Sequence, residues 1–305
     1  MSTTAFDTEP HRDYDPTAPL VATGNLRRRQ RVSSVVDTLA RLSSLIAVAA
    51  LVVVVYVVID RGAGAISWSF FTTNGATTGL GGGIEAAIVG TIAIVVIATV
   101  IATPIAVLTA IYLTEFAAPG SRLGRILTLA LNLMQGLPTI VVGIFVFGLV
   151  VNGSGNSGLA GSLALAIVML PLIARTSQEV LLRVPGALRE AGDALGVERW
   201  RTIMTVVLPT ALGGIVTGTI LAVARAAGET APLLLCDSLF GNATSLNVGH
   251  AIPNIPITIF ELASSPNPSA VTQAWGAALV LLGGILIANV AARVLLARSR
   301  RRTGA

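Results

Sequence analysis

Long apolar runs broken by short polar punctuation dominate the chain. Residues 42–59 form an 18-residue stretch without a charge, long enough to cross ~30 Å of hydrocarbon, and Asp60 and Arg61 close it. Further apolar stretches predict helices over residues 84–113, 126–151, 159–174, 210–236 and 271–292. Pro104 falls inside the second and is expected to break it, Gln135 and Pro138 lie in the first half of the third, and Pro171 lies near the end of the fourth. Between the first two, Trp68, Phe70 and Phe71 suit a membrane interface, and Gly79 with Gly81–Gly83 reads as a loop. A phosphate cradle is the alternative for these glycines, disfavoured because a membrane span follows and no lysine does.

One region departs from this pattern. Residues 185–209 are rich in charge and carry helical rather than continuous apolarity. Pro185 can open a short helix and Gly196 can close it. On that helix Leu188, Ala191, Gly192 and Leu195 share one face, with Arg189, Glu190 and Asp193 directed the other way. A second apolar stripe, Trp200, Ile203, Met204 and Val207, follows before Pro209. Two short amphipathic helices meeting at a glycine elbow are expected.

Composition turns the pattern into a class. The chain has 305 residues, 53% hydrophobic and 11% charged, where a soluble domain carries about 25% charged residues. It is an all-α, polytopic membrane protein. Cys236 is the sole cysteine and His11 and His250 lie far apart, so the sequence offers neither a disulfide nor a metal cluster. All 20 basic residues are arginines. A Walker A loop needs a lysine on the nucleotide phosphates, so if ATP drives this chain, another subunit binds it.

Arginine placement sets the topology. Six lie in or just after the N-terminal tail, two after the second helix, five from Arg175 to Arg201 and five at the C-terminus. With six spans all of these fall on one face, which makes both termini cytoplasmic. Residues 1–38 read as a disordered polar and basic tail without a signal peptide, 39–61 as the first span, and 79–297 as a five-helix core.

Arg225 and Glu229 are charged residues within the predicted fifth span. Their spacing of four puts them on one helix face, able to pair. A charge at that depth costs at least ~2.5 kcal/mol. It either pins helices together or serves an anion path, since a guanidinium fork matches phosphate oxygens. Charge reasoning alone leaves these two readings even.

Two sets of motifs resemble a known family. Glu190-Ala191-Gly192, Gly196 and Leu208-Pro209 resemble the EAA loop of ABC-importer permeases, with Gly192 where the family has its second alanine. Ala224-Arg225-Ala226-Ala227-Gly228-Glu229-Thr230-Ala231-Pro232 is similar to the signature of PstA-type permeases of phosphate ABC importers. GGGIEAAIVGT, TAIYLTEFA and GLPTIVVGIFVFGLVV match as well, so the resemblance runs from about Gly79 to the end of the last helix.

The resemblance implies the type I importer fold with six transmembrane helices in the bacterial plasma membrane. It implies a coupling helix in which Glu190, Ala191, Gly192, Asp193, Gly196, Trp200 and Pro209 dock on an ATPase. Arg225 and Glu229 would then line a phosphate pathway. Implied partners are a second permease of PstC type, two ATPases of PstB type and an extracytoplasmic phosphate-binding protein of PstS type. ATP would sit on the ATPases, and the chain would bind no cofactor and no nucleic acid.

Three alternatives remain. A permease of the same superfamily for another solute fits the coupling loop equally. A proton-coupled transporter would use Glu229 as proton carrier but leaves the amphipathic region without a role. A membrane enzyme lacks a nucleophile, metal or acid–base set. Weaker polar candidates are Glu85 at a span end, Asn132 and Gln135 as hydrogen-bonding groups between helices, and Asn289, to which nothing is assigned.

Overall fold

The computed structural model describes residues 24–75, 82–118, 120–239, 241 and 243–302. Residues 1–23 of the expected tail, and Gly79 and Gly81 of the glycine cluster, lie outside them. Every regular element among the described residues is helical.

The chain divides into two units at Tyr56. Helix α1, Gly24–Gly62, begins inside the stretch read as a polar tail. Its first turns are polar but contain no proline or glycine after Gly24, so nothing in them stops a helix nucleated in the apolar run that follows.

The second unit begins with the short helix α2 (Trp68–Thr72), capped by the Ser67 side chain. Then come α3 (Glu85–Phe116), the pair α4 (Arg122–Gly136) and α5 (Thr139–Ser154), and α6 (Gly158–Leu182). Helix α7 (Gly186–Ala194) leads into α8 (Arg199–Ala226), α9 (Ala231–Cys236), α10 (Ile255–Ala263) and α11 (Pro268–Arg302).

Helices α3 and α6 form the core. Ala98, Ala102, Ala106 and Ala110 recur every fourth residue on α3 and are wholly buried. Such a stripe of small side chains lets two backbones approach closely, which is how helices gain packing energy where lipid is as apolar as leucine. Against it lie Leu165, Met169 and Ile173 of α6. The two helices run in the same direction. Both start against one loop, where Ile255 N–H donates to Thr91 Oγ1 (2.8 Å) and Gly158 N–H donates to the His250 carbonyl (2.9 Å). Both finish in one cluster holding Ala110, Ile111, Leu181 and Val184.

Parallel neighbours require the intervening chain to return across the bundle. The α4–α5 pair makes that return although it bends by 106° at Leu137–Pro138. The single straight third span expected from hydropathy is therefore a broken one. Pro138 cannot supply a backbone donor and holds Leu137 out of the helical region, at ψ 133°. Pro104, in contrast, leaves α3 continuous.

The fifth span also departs from expectation. Its helix starts at Arg199 rather than Thr210, joined through a π-helical turn at Ile203–Val207 instead of forming a separate short helix. It ends at Ala226 and resumes at Ala231. The fourth predicted helix is longer than expected and runs to Leu182, which brings Arg175 inside a span. Helix α8 packs antiparallel on α6 through Gly214 and Gly218, where an added Cβ would lie 2.5 Å from Val180 and 2.2 Å from Thr176. Among the described residues, five helices are long and apolar enough to cross a membrane, or six with the bent pair counted as one span.

Candidate functional site

The coupling region and the intramembrane charged pair lie at two levels of the bundle. At the first level, α7 ends as the sequence predicts. Gly196 adopts φ +68°, its N–H donates to the Asp193 carbonyl (3.0 Å), and Val197 N–H donates to the Gly192 carbonyl (3.0 Å). A left-handed residue with these two bonds reverses the chain at a helix end, and glycine does so without a Cβ penalty. Directly beside it, an added Cβ on Gly192 would fall 2.5 Å from Thr202 Oγ1. The glycine in the alanine position of the EAA pattern is thus where α7 crosses the base of α8.

Glu190, Ala191, Asp193, Gly196, Trp200 and Pro209 are all exposed. So is Leu195, at 81%, and the Trp200 indole is held by a hydrogen bond to Glu198 Oε2 (2.7 Å). The apolar stripe of α7 therefore lies open, contrary to the usual inward placement of such a face. Arg189, assigned to the polar outer face, turns inward instead. Its Nε donates to both oxygens of Glu115 (3.1 and 3.0 Å) and Nη2 donates to Oε1 (2.6 Å). It also donates to the carbonyls of Val184 and Leu181. The Glu115 side chain is 1% exposed. This carboxylate, two residues beyond the predicted end of the second helix, belongs to the final π turn of α3. The Glu115 bonds hold the Arg189 guanidinium protonated above its ordinary range. No local signal marks the pair, because its members are far apart in sequence.

At the second level, Arg225 occupies the last turn of α8 and Glu229 follows the helix end. They are not two residues of one continuous helix as spacing implied, yet the chain brings them together: Arg225 Nε lies 3.5 Å from Glu229 Oε1. Gly228 and Glu229 N–H groups bond back three residues to Arg225 and Ala226, and Pro232 sits at the start of α9. Tight turns and a proline halt the ladder here. Glu229 is largely buried and Arg225 largely open.

The open guanidinium faces a cavity of about 260 Å³ lined by Gln135, Leu137, Thr139, Val168, Pro171 and Leu172. Val168–Leu172 is the middle of α6, and Gln135–Thr139 is the break between α4 and α5. Two broken helices thus adjoin beside the middle of α6, fastened where Gly143 of α5 meets Pro232 of α9. Interrupted helices at this depth present unpaired polar groups that bind ions and small solutes. The arrangement can hold an anion but has no nucleophile or acid–base pair for covalent chemistry. No cluster of metal-ligating side chains occurs among the described residues.

Comparison with known proteins shows the family. A family model described as "Binding-protein-dependent transport system inner membrane component" matches residues 102–301. The phosphate transport system permease protein PstA 1 of Mycobacterium tuberculosis H37Rv is 36% identical over 94% of this chain and 95% of its own length. PstA of Haemophilus influenzae is 35% identical, covering 79% of this chain and 85% of its own. Among solved structures, the inward-facing MetNI methionine ABC transporter superposes with TM-score 0.55 at 20% identity, over 70% of this chain and 93% of that one. The fold and the sequence matches agree: the chain belongs to the binding-protein-dependent transport system inner membrane components, as a permease of PstA type.

Proposed function

We propose that the chain is one of two permease subunits in an ATP-driven importer of inorganic phosphate. The observation that supports this most is Arg225 beside Glu229 at a helix break, open to a cavity between two interrupted helices. The guanidinium offers a planar fork to oxyanion oxygens. Glu229 orients the fork and keeps the empty site from binding any anion permanently. The named relatives support phosphate as the solute.

A partner permease of PstC type would complete the pathway, and an extracytoplasmic PstS-type protein would deliver the anion. Two PstB-type ATPases would bind ATP. One would receive the exposed elbow, with Leu195 and Trp200 entering its cleft and Glu190 and Asp193 at the rim. The docking surface is Glu190, Ala191, Gly192, Asp193, Gly196 and Trp200, and Pro209 starts the adjoining span. Movement of α7 would then reach the core through Arg189 and Glu115. The chain contributes differential contacts in two conformations rather than chemistry. Both termini are assigned to the cytoplasm.

The test is ATP-driven uptake of radiolabelled phosphate by the reconstituted complex carrying Arg225→Gln. Uptake should fall at least tenfold while assembly and binding-protein-stimulated ATP hydrolysis persist. Normal uptake would reduce the pair to scaffolding and reopen the choice of solute. Failure to assemble would give it a purely structural role.

A further inference from the structure

A second arginine lies inside the membrane region. Arg175 belongs to α6, two turns before its end, and is half-buried. Its Nη1 donates to Gln178 Oε1 (3.1 Å), and its Nη2 donates to the Thr128 carbonyl (3.4 Å) and to Asn132 Oδ1. All three acceptors are neutral. Glu179, in the next position, is exposed and makes no ion pair with it; among the described residues no carboxylate pairs with Arg175.

Its position is specific. Towards mid-membrane, Val168, Pro171 and Leu172 line the cavity that holds Arg225. Towards the coupling end, Gln178, Asn132, Thr128 and Arg125 line a second cavity of about 480 Å³. Arg175 bonds three of the groups lining that second cavity and stands between the two. One helical turn, about 5 Å, separates it from the lining residues on either side.

Pinning α4 to α6 requires hydrogen bonds, which a glutamine could supply. It does not require an unneutralised charge, which is disfavoured within a span. Neutral acceptors orient the guanidinium yet leave its charge available. We propose that Arg175 is a second binding station for the transported tetrahedral oxyanion, reached after Arg225 on the way to the coupling end. The anion passes from one guanidinium to the next, and the amide groups of Asn132 and Gln178 release Arg175 as it arrives. Arg125 then draws it towards the cavity mouth. The inference rests on the reading of the chain as a phosphate permease.

The test uses the complete reconstituted complex, with phosphate uptake and binding-protein-stimulated ATP hydrolysis measured together. Arg175→Gln should cut uptake at least tenfold and leave stimulated hydrolysis within twofold of wild type. Arg175→Lys should retain a third or more of the uptake. Uptake by Arg175→Gln within twofold of wild type overturns the proposal. So does its failure to assemble, which makes the residue a pin, or uptake by Arg175→Lys as low as by Arg175→Gln, which shows that the charge is not what matters. A wild-type complex that carries no phosphate instead overturns the proposed function itself.

Discussion

Two carboxylates illustrate how differently one residue type is handled in this chain. Glu115 is buried and fully answered by Arg189, whose remaining donors reach two backbone carbonyls. Removing one partner of such a pair leaves the other charged in a desolvated site, a cost of about 3 kcal/mol or more. Glu115→Gln should therefore lower the melting temperature of the purified permease. Transport per ATP hydrolysed should fall as well, since α7 loses its tie to α3. A double-mutant cycle with Arg189→Met measures the coupling directly.

Asp237 is the opposite case. It lies in the loop after α9, wholly buried, with its carboxylate accepting only from Ile252 N–H (2.8 Å) and Asn254 Nδ2 (3.3 Å). Burial pushes its pKa up to about 7, against the pull of those two bonds. The unfolded carboxyl ionises near 4, so between about pH 4 and 7 the folded chain holds a proton that the unfolded chain has lost. Stability from this residue is present at low pH and declines as pH rises through that window. Melting temperatures of wild type should fall from pH 5 to pH 8, with Asp237→Asn showing a flatter profile; equal slopes would remove Asp237 as the cause.

Among the elements, the elbow joining α7 and α8 concentrates the demands on backbone geometry. Gly196 meets nothing within 4 Å of where a Cβ would stand, so only its φ of +68° restricts the choice of residue. Gly196→Val should change the direction of α7, because a β-branched residue resists the left-handed region. Binding-protein-stimulated ATP hydrolysis should persist with little phosphate uptake. Unchanged uptake would show that the elbow has no part in docking. The breaks at Leu137–Pro138 and Ala227–Thr230 serve a different end. Each interrupts a helix within a predicted span, where exposed backbone is tolerated only against protein or a cavity.

In the second unit as a whole, the parallel α3–α6 core has the broken elements arranged against it. Parallel packing of α3 and α6 obliges the chain between them to cross, so the bent pair counts as a span. The same core sets the level of every charge along α6. Arg225 of α8 lies beside Val168–Leu172 and Arg175 of α6 one turn further along, and the two uptake experiments on their glutamine variants test this order. The methionine transporter shares this fold at 20% identity.

How much of this was readable from the residues depends on the range of the forces involved. Hydropathy and periodicity depend on near neighbours, so the spans, the elbow at Gly196 and the exceptional charges Arg225 and Glu229 were legible in the chain itself. The lack of lysine likewise means that, if ATP drives transport, another subunit binds it. The tertiary structure alone decided the rest. Arg189 was read as outward-facing until Glu115, 74 positions away, supplied a buried partner. Arg175 looked like the first charge of a cytoplasmic loop, since a helix cut at an arginine satisfies hydropathy equally well. Packing of α6 against α3 and α8 carries that helix on to Leu182 and leaves the cation inside. Local pattern determines which segments enter the membrane; long-range packing determines where each helix breaks and which charge another charge meets.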